Sequence, residues 1–130
     1  MAKQIQGTVI TNGTATLMAR LVGWNGAAIT QADVSAVTYT VYAVGAKDPA
    51  ERTADEDHEG VPLTVAAVVY DELQTDAVWT ADATGYNFRH TVPITGNPAF
   101  ADPQRQYVVE YTLTPTTGEP IVVSFLLRSV

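Results

Sequence analysis

The closing stretch of the chain, RQYVVEYTLTPTTGEPIVVSFLLRSV from Arg105 to Val130, sets the fold class. Two runs rich in β-branched and aromatic residues, at 105–115 and 120–130, flank the turn-forming segment TTGE. Runs of this composition, joined by a short turn that contains glycine, are typical of the two strands of a β-hairpin. We therefore predict that the chain ends in a hairpin.

The last strand of this hairpin has apolar residues on both of its faces. Side chains alternate along a strand, so one face consists of Ile121, Val123, Phe125 and Leu127. The opposite face holds Val122, Ser124, Leu126 and Arg128, of which two are apolar. Because a strand that is apolar on both faces is typical of one covered on both sides, we predict that Val122, Leu126 and Arg128 contact a partner.

The rest of the chain carries further strand signals and few signals for helices. In VTYTVYAV, the side chains of Val37, Tyr39 and Val41 share one face, and YNFRHTVP predicts a strand that ends at Pro93. The pair Asn12-Gly13 predicts a hairpin turn that joins a strand at 4–10 to one at 14–23. We assign 61–73 to short strands in preference to a helical turn at 64–67. The segments 45–60 and 94–104 are predicted as long exposed loops, available for contact.

Composition limits the class of protein and its partners. The 130 residues fit one domain, 1–130, and the charged fraction of 16% is well below the roughly 25% of average soluble proteins. A surface so poor in charge is often partly covered by neighbouring subunits. The net charge of -7 disfavours a nucleic-acid partner, and no apolar run approaches the length of about 20 residues that spans a bilayer. We expect no secretion signal, no nucleic-acid partner and no membrane partner.

The acidic segment DEDHEG resembles the first half of a calcium-binding loop. Asp55, Asp57, Glu59 and Gly60 match the spacing of that half, but Ala66 stands where the loop needs a bidentate glutamate. We interpret the segment as a solvated acidic loop, with a weak cation site as the alternative.

Catalytic patterns are also absent from the sequence. The chain has no cysteine, and the two histidines, His58 and His90, lack the spacing of zinc motifs, so we interpret both as structural. The serines lack the G-x-S-x-G context of hydrolases. Four carboxylates leave glycoside hydrolysis as a minor alternative: Asp71, Glu72, Asp76 and Asp82. We predict a protein that is not an enzyme and has no cofactor and no metal.

Two further groups of residues are candidates for binding. The stretch DATGYNFRHTVP contains Asp82 and Arg89. The sequence leaves open whether these two residues face solvent, each other or a neighbouring subunit, and we predict both as partner contacts. Aromatic rings on a β-sandwich can stack on sugar rings, as in carbohydrate-binding modules. Trp24 and Trp79 are the candidates for this alternative function.

Three stretches together resemble a known group of proteins: ITQADVSAVTYTVYAVG (29–45), VVYDELQTDAVWTADATGYNFRHTVP (68–93) and the closing hairpin. Their layout is similar to that of small immunoglobulin-like β-sandwich proteins encoded among bacteriophage and prophage structural genes. The resemblance implies an all-β chain that forms a single antiparallel β-sandwich, immunoglobulin-like. It further implies a non-enzymatic component of the virion, assembled in the host cytoplasm, that decorates the head or belongs to the tail or baseplate. Its implied partners are other virion proteins and copies of itself, in a homo-oligomer or a multi-copy assembly.

Overall fold

The computed structural model describes residues 4–23, 26–45, 47–48, 51–77, 79–93 and 98–130. Within these ranges the strands are β1 (Gln4–Val9), β2 (Thr16–Ala19), β3 (Val34–Val44), β4 (Arg52–Ala54), β5 (Val61–Leu63), β6 (Val69–Gln74), β7 (Tyr86–Thr91), β8 (Gln106–Pro115) and β9 (Ile121–Ser129). The described helical segments are the short α1 (Val65–Val68) and two 3-10 turns, Gln31–Asp33 and Glu56–His58. The predicted all-β class is confirmed.

The strands form two sheets. The large sheet has the order β1-β9-β8-β3-β4, with β5 also paired to β3, and the small sheet has the order β2-β7-β6. Strand β1 runs parallel to β9, whereas the other pairs are antiparallel. The large sheet is therefore mixed, and the prediction of a wholly antiparallel arrangement is wrong at this edge.

The turn at Asn12-Gly13 exists, but it does not close a hairpin. Asn12 has a φ of 62°, and the Gly13 N–H donates to the carbonyl of Ile10 at 2.7 Å, as in a tight turn. The turn carries the chain from β1 in the large sheet to β2 in the small sheet. The predicted first hairpin is wrong because a tight turn fixes a change of direction but not the strand with which each arm pairs.

The inner faces of the two sheets enclose one core. Phe88 of β7 meets Tyr111 of β8 edge to face across the two layers, with ring centroids 4.8 Å apart. The predicted inner face of β3, formed by Val37, Tyr39 and Val41, is buried. The predicted closing hairpin is confirmed, since β8 and β9 pair from Leu113 opposite Ile121 to Gln106 opposite Arg128.

A buried amide ties the end of β2 to β7, and sequence reasoning did not identify it. The Oδ1 atom of Asn87 accepts from the N–H of Leu21 at 2.7 Å, and its Nδ2 atom donates to the carbonyls of Leu21 and Ile29, each at 2.9 Å. Asn87 is fully buried. Its side chain replaces the backbone ladder where β2 has ended, and so it satisfies groups that would otherwise be buried without partners.

The described part of the segment 45–60 contains regular structure that the sequence did not predict. It contains β4 and the 3-10 turn at 56–58, and the side chain of His58 is buried, with its Nδ1 atom 2.8 Å from the hydroxyl of Tyr39. The prediction of an exposed loop throughout this segment is wrong because the imidazole ring packs into the core.

Two other assignments are corrected in part. The segment 61–74 contains strands β5 and β6 but also the helical turn α1, which is the less favoured alternative from the sequence. Of the predicted loop at 94–104, residues 94–97 lie outside the described residues. In the described part, Phe100 is fully buried and packs edge to face on Tyr107, at 5.3 Å between centroids. That part of the loop is therefore anchored in the core.

Candidate interaction surface

One side of the molecule is open between the two sheets. The large sheet ends at β1 and the small sheet at β2, and a cleft of about 410 Å³ lies between these edge strands. Residues 5–8, 14–18 and 79–81 line it, together with Phe125 and Leu127 of β9. All of these residues are uncharged. In a chain with a net charge of -7, this cleft is a neutral region.

A second cleft of about 300 Å³ adjoins the first at Ile5, and residues 19–22, Ile29 and 121–123 line it. We call the two clefts and their bordering strands β1 and β2 the edge surface. Ile5, Val22 and Val122 lie on it and are 40%, 55% and 38% exposed. The other large apolar side chains that are exposed among the described residues, Ile10 and Val130, follow directly after β1 and β9. Exposed apolar surface is therefore concentrated near this edge.

Asp82 lies at the rim of the edge surface, where its carboxylate accepts several hydrogen bonds. Its Oδ1 atom accepts hydrogen bonds from the backbone N–H groups of Thr84 and Gly85, at 2.9 and 3.1 Å, and from Nε1 of Trp79 at 3.2 Å. Arg20, which lines the second cleft, forms an ion pair with Asp82 at 2.9 Å. The Gly85 N–H is the main reason that the pKa of Asp82 is lowered to about 2, and Trp79, Arg20 and Thr84 add to this effect against an opposing contribution from desolvation.

Trp79 forms part of the first cleft, and its orientation is defined. The indole ring is half-buried and packs against the ring of Tyr86, with centroids 5.6 Å apart. Its Nε1 atom is held by Asp82. Trp24, the other candidate for sugar stacking, lies outside the described residues.

The predicted partner-contact residues of β9 lie on the outer face of the large sheet. Arg128 and Val122 are exposed there, whereas Leu126 is half-buried. Leu126 pairs with Val108, which pairs in turn with Tyr42, and Val108 is only 1% exposed. Side chains of the same sheet therefore provide part of the covering that we expected from a partner.

The two charged residues of the stretch DATGYNFRHTVP are separated in the structure. Asp82 pairs with Arg20, which lines the second cleft of the edge surface. Arg89 lines a different cleft of about 340 Å³ beside α1, together with Tyr70 and His90. The sequence leaves open whether the two residues face each other, and the structure shows that Asp82 has a different partner.

The two histidines lie in polar pairs with core tyrosines. His90 places its Nδ1 atom 2.7 Å from the hydroxyl of Tyr111, and its ring also packs on Tyr39 at 4.9 Å between centroids. Desolvation lowers the pKa of His90 to about 4 and raises the pKa of Tyr111. His90 is therefore neutral at neutral pH. Its contacts with Tyr39 and Tyr111 connect β7 of the small sheet to β3 and β8 of the large sheet.

Three of the carboxylates that were candidates for metal binding or hydrolysis accept hydrogen bonds from separate donors. Asp55 accepts from the N–H of Asp57 at 3.0 Å and caps the 3-10 turn. Asp71 accepts from the N–H of Gln31, and Asp76 accepts from the hydroxyl of Tyr86. No group of three or more histidine or carboxylate side chains in the described part of the chain is arranged to hold a metal ion.

Several residues of the edge surface were not identified from the sequence. Ile5, Val22 and Arg20 carry no local signal, because their exposure depends on which strands end each sheet. Arg20 and Asp82 are 62 positions apart in the chain, and pairing of β2 with β7 brings them together.

Comparison of the chain with protein-family models, curated proteins and solved structures returns no match. None of the helices among the described residues is long and apolar enough to cross a membrane.

Proposed function

We propose that the chain is a non-enzymatic structural protein that packs against neighbouring subunits through its edge surface. In this proposal it is an accessory virion component of a bacteriophage-type particle, present in several copies, on the head or on the tail or baseplate. The observation that carries the proposal is the concentration of exposed apolar side chains at one edge. Contiguous apolar surface on a folded domain is typical of contact sites with other proteins.

The strand order supports an immunoglobulin-like β-sandwich as the scaffold. In immunoglobulin domains one sheet contains strands B, E and D and the other contains C, F and G, in chain order from B to G. Here β2, β7 and β6 take the places of B, E and D, and β3, β8 and β9 take those of C, F and G. Strand β1 then extends the second sheet through its parallel pairing with β9.

The energetics of the edge surface are consistent with packing against another protein. Ile5, Val22 and Val122 each keep about half of their side-chain area in water, so covering each of them contributes about 1 kcal/mol. The lining residues of the first cleft bring no charge that would have to be desolvated. The proposed contact is therefore driven by apolar burial, with Arg20 and Asp82 at its rim.

Rebinding to particles tests this function. Particles from the phage or prophage that carries the gene are stripped of accessory proteins and mixed with the purified chain, and bound protein is measured by sedimentation. We expect wild-type protein to rebind and Val122→Lys to rebind at least tenfold more weakly. The matched control is Thr53→Lys, which places the same charge at an exposed position of β4. A wild-type chain that ignores such particles would contradict the proposal.

A carbohydrate-binding module is the second candidate function, and the position of Trp79 favours it. One side of the indole ring packs on Tyr86, and the residue lines the first cleft together with hydroxyl-bearing threonines, among them Thr80. The chain has two tryptophans, so fluorescence of a Trp24→Phe protein reports on Trp79 alone. Titration with neutral cello-, chito- and malto-oligosaccharides should change its emission if sugars stack there. An unchanged spectrum with all three series would remove this candidate.

A further inference from the structure

Strand β1 differs from the edge strands on the opposite side of the molecule. Free strand edges pair readily with other chains, and proteins usually protect them with charges, prolines, bulges or covering segments. Strand β4 carries Arg52, β5 carries Pro62, and β6 carries Asp71 and Glu72. Strand β1, with the sequence QIQGTV, contains no charged residue and no proline, and its pairing with β9 has no register shift.

The edge of β6 is also covered by the chain itself. The side chain of Gln31 donates from Nε2 to the carbonyl of Val69 at 3.0 Å, and Asp71 accepts from the backbone N–H of Gln31 at 2.8 Å. Pairing of β6 with β7 is in addition interrupted by a register shift between Val69 and Gln74. The protection is thus concentrated on one side of the molecule, and β1 lies on the other.

Strand β1 is paired to β9 along its whole length. All six of its residues pair with β9, and at its end the N–H of Val130 donates to the carbonyl of Val9 at 2.9 Å. Val9 is buried, and a Cβ atom on Gly7 would lie 3.2 Å from Leu127, so the odd-numbered residues of β1 point toward the core. Gln6 and Thr8 therefore point outward and are exposed.

The absence of charge along β1 allows a second copy of the chain to occupy this edge. Two copies that each carry a net charge of -7 repel one another overall, and contact between uncharged surfaces adds least to this repulsion. The first cleft and the strand β1 are such a surface, since neither contains a charged residue. A two-fold axis makes one such patch sufficient, because each copy presents the same residues to the other.

We propose that β1 pairs antiparallel with β1 of a second copy, about a two-fold axis that lies between the Gly7 residues of the two copies. With Gly7 of one copy opposite Gly7 of the other, Gln6 lies opposite Thr8, and Ile5 lies opposite Val9. The two residues of each such pair point to the same face of the sheet. The side chain absent from Gly7 leaves room at the axis on the core side. The two large sheets become one continuous sheet. This inference rests on the proposed function, because it identifies the first neighbour with which the edge surface packs.

Cysteine cross-linking tests the register directly, because the chain contains no native cysteine. In the Gln6→Cys/Thr8→Cys double variant, the thiol introduced at position 6 of each copy lies opposite the thiol at position 8 of the other. The Cβ separation of such a pair is about 5 Å, which mild oxidation closes with little adjustment. We expect a covalent dimer on a non-reducing gel.

The single variants Gln6→Cys and Thr8→Cys are the matched controls for the cross-link. In each of them the two thiols occupy the same position of the two copies and lie on a longer diagonal of the antiparallel pair. We expect both to cross-link more slowly than the double variant. Single variants that cross-link as fast as the double variant would overturn the register.

The oligomeric state of the uncross-linked protein provides the second measurement. Light scattering over a concentration series should show a dimer for the wild type, with dimerisation at least tenfold weaker for Ile5→Lys and unchanged for Thr53→Lys. Ile5 lines the clefts and is 40% exposed, so a lysine at this position can extend its charged end into solvent. Circular dichroism is used to verify that the variant monomer is folded. A wild-type protein that is monomeric at every concentration overturns the inference.

The outcomes separate this inference from the proposed function. Monomeric protein that still rebinds stripped particles contradicts the two-fold pairing and leaves the proposed function in place. If the double variant cross-links only to a particle protein, the occupant of β1 is a strand of a different protein, which also overturns the inference. A dimer that ignores the particles supports the pairing and contradicts the proposed function.

Discussion

Protonation of His90 should destabilise the fold in a defined range of pH. The imidazole ring packs against the rings of Tyr39 and Tyr111, and desolvation lowers its pKa from 6.5 to about 4. Between these values the unfolded chain binds a proton that the folded chain does not bind. The contribution of neutral His90 to the free energy of unfolding is therefore complete above pH 6.5 and is lost as the pH falls toward 4.

The size of this effect follows from the two pKa values. A pKa difference of about one unit corresponds to about 1.4 kcal/mol. Without solvent screening, the two pKa values of His90 therefore give a loss of about 2.5 kcal/mol in the free energy of unfolding between about pH 7.5 and about pH 4.5. The ring of His90 is half-buried, and solvent screening reduces the expected loss to about 2 kcal/mol. Asp82 does not contribute in this range, because its pKa is lowered from 3.8 to about 2 and its contribution is lost only below pH 3.8.

Urea unfolding at a series of pH values and constant ionic strength measures this loss. The matched variant is His90→Gln, which does not titrate and keeps a group able to hydrogen-bond to the hydroxyl of Tyr111. The difference in the free energy of unfolding between the two proteins should change by about 2 kcal/mol over the range, with the wild type losing more at low pH. Parallel curves for the two proteins would show that His90 is not destabilised by protonation in the folded state, as would an NMR titration that gives His90 an ordinary pKa.

Other substitutions test the contacts that position the edge surface. Asn87→Ala removes three buried hydrogen bonds and should lower the free energy of unfolding by about 3 kcal/mol in urea unfolding; a loss below about 1 kcal/mol would contradict the bridging role. Gly85→Ala should lower the free energy of unfolding by more than about 2 kcal/mol, because φ is +94° and the new Cβ atom would clash with the carbonyl of Gln74. The control is Gly118→Ala, which should lower it by about 1 kcal/mol, because φ there is +100° but the space around the residue is open. Asp82→Asn removes the ion pair and should shift the fluorescence of Trp79 to the red in a protein whose other tryptophan is replaced by phenylalanine. An unchanged spectrum would show that Asp82 does not orient the indole ring.

Local patterns in the sequence were sufficient for the elements whose partners are close in the chain. Alternation of side chains identified the inner face of β3, and a short turn between two apolar runs identified the hairpin of β8 and β9. The strand β7 was likewise predicted from YNFRHTVP. These predictions succeeded because a pleated strand and a tight turn are determined by the residues that compose them.

Pairing between distant segments was decided only by the tertiary structure. The sequence QIQGTV is compatible with pairing to β2 through the Asn12-Gly13 turn, yet β1 pairs in parallel with β9, at the other end of the chain. The contact of buried His58 with Tyr39 and the hydrogen bonds from Asn87 to Leu21 also join residues that are distant in the chain. In each case many alternative pairings satisfy the local pattern, and packing of the whole core selects one of them.

The candidate site shows the same division. Local patterns indicate that Val122 belongs to a strand with apolar residues on both faces, and that Trp79 and Asp82 lie within one short stretch. Only the tertiary structure placed Val122 beside Ile5 and Val22 and brought Arg20 to Asp82. This interaction surface depends on which strands lie at the edges of the two sheets. Whether a strand lies at an edge is fixed by the pairing of all the other strands, which local sequence does not specify.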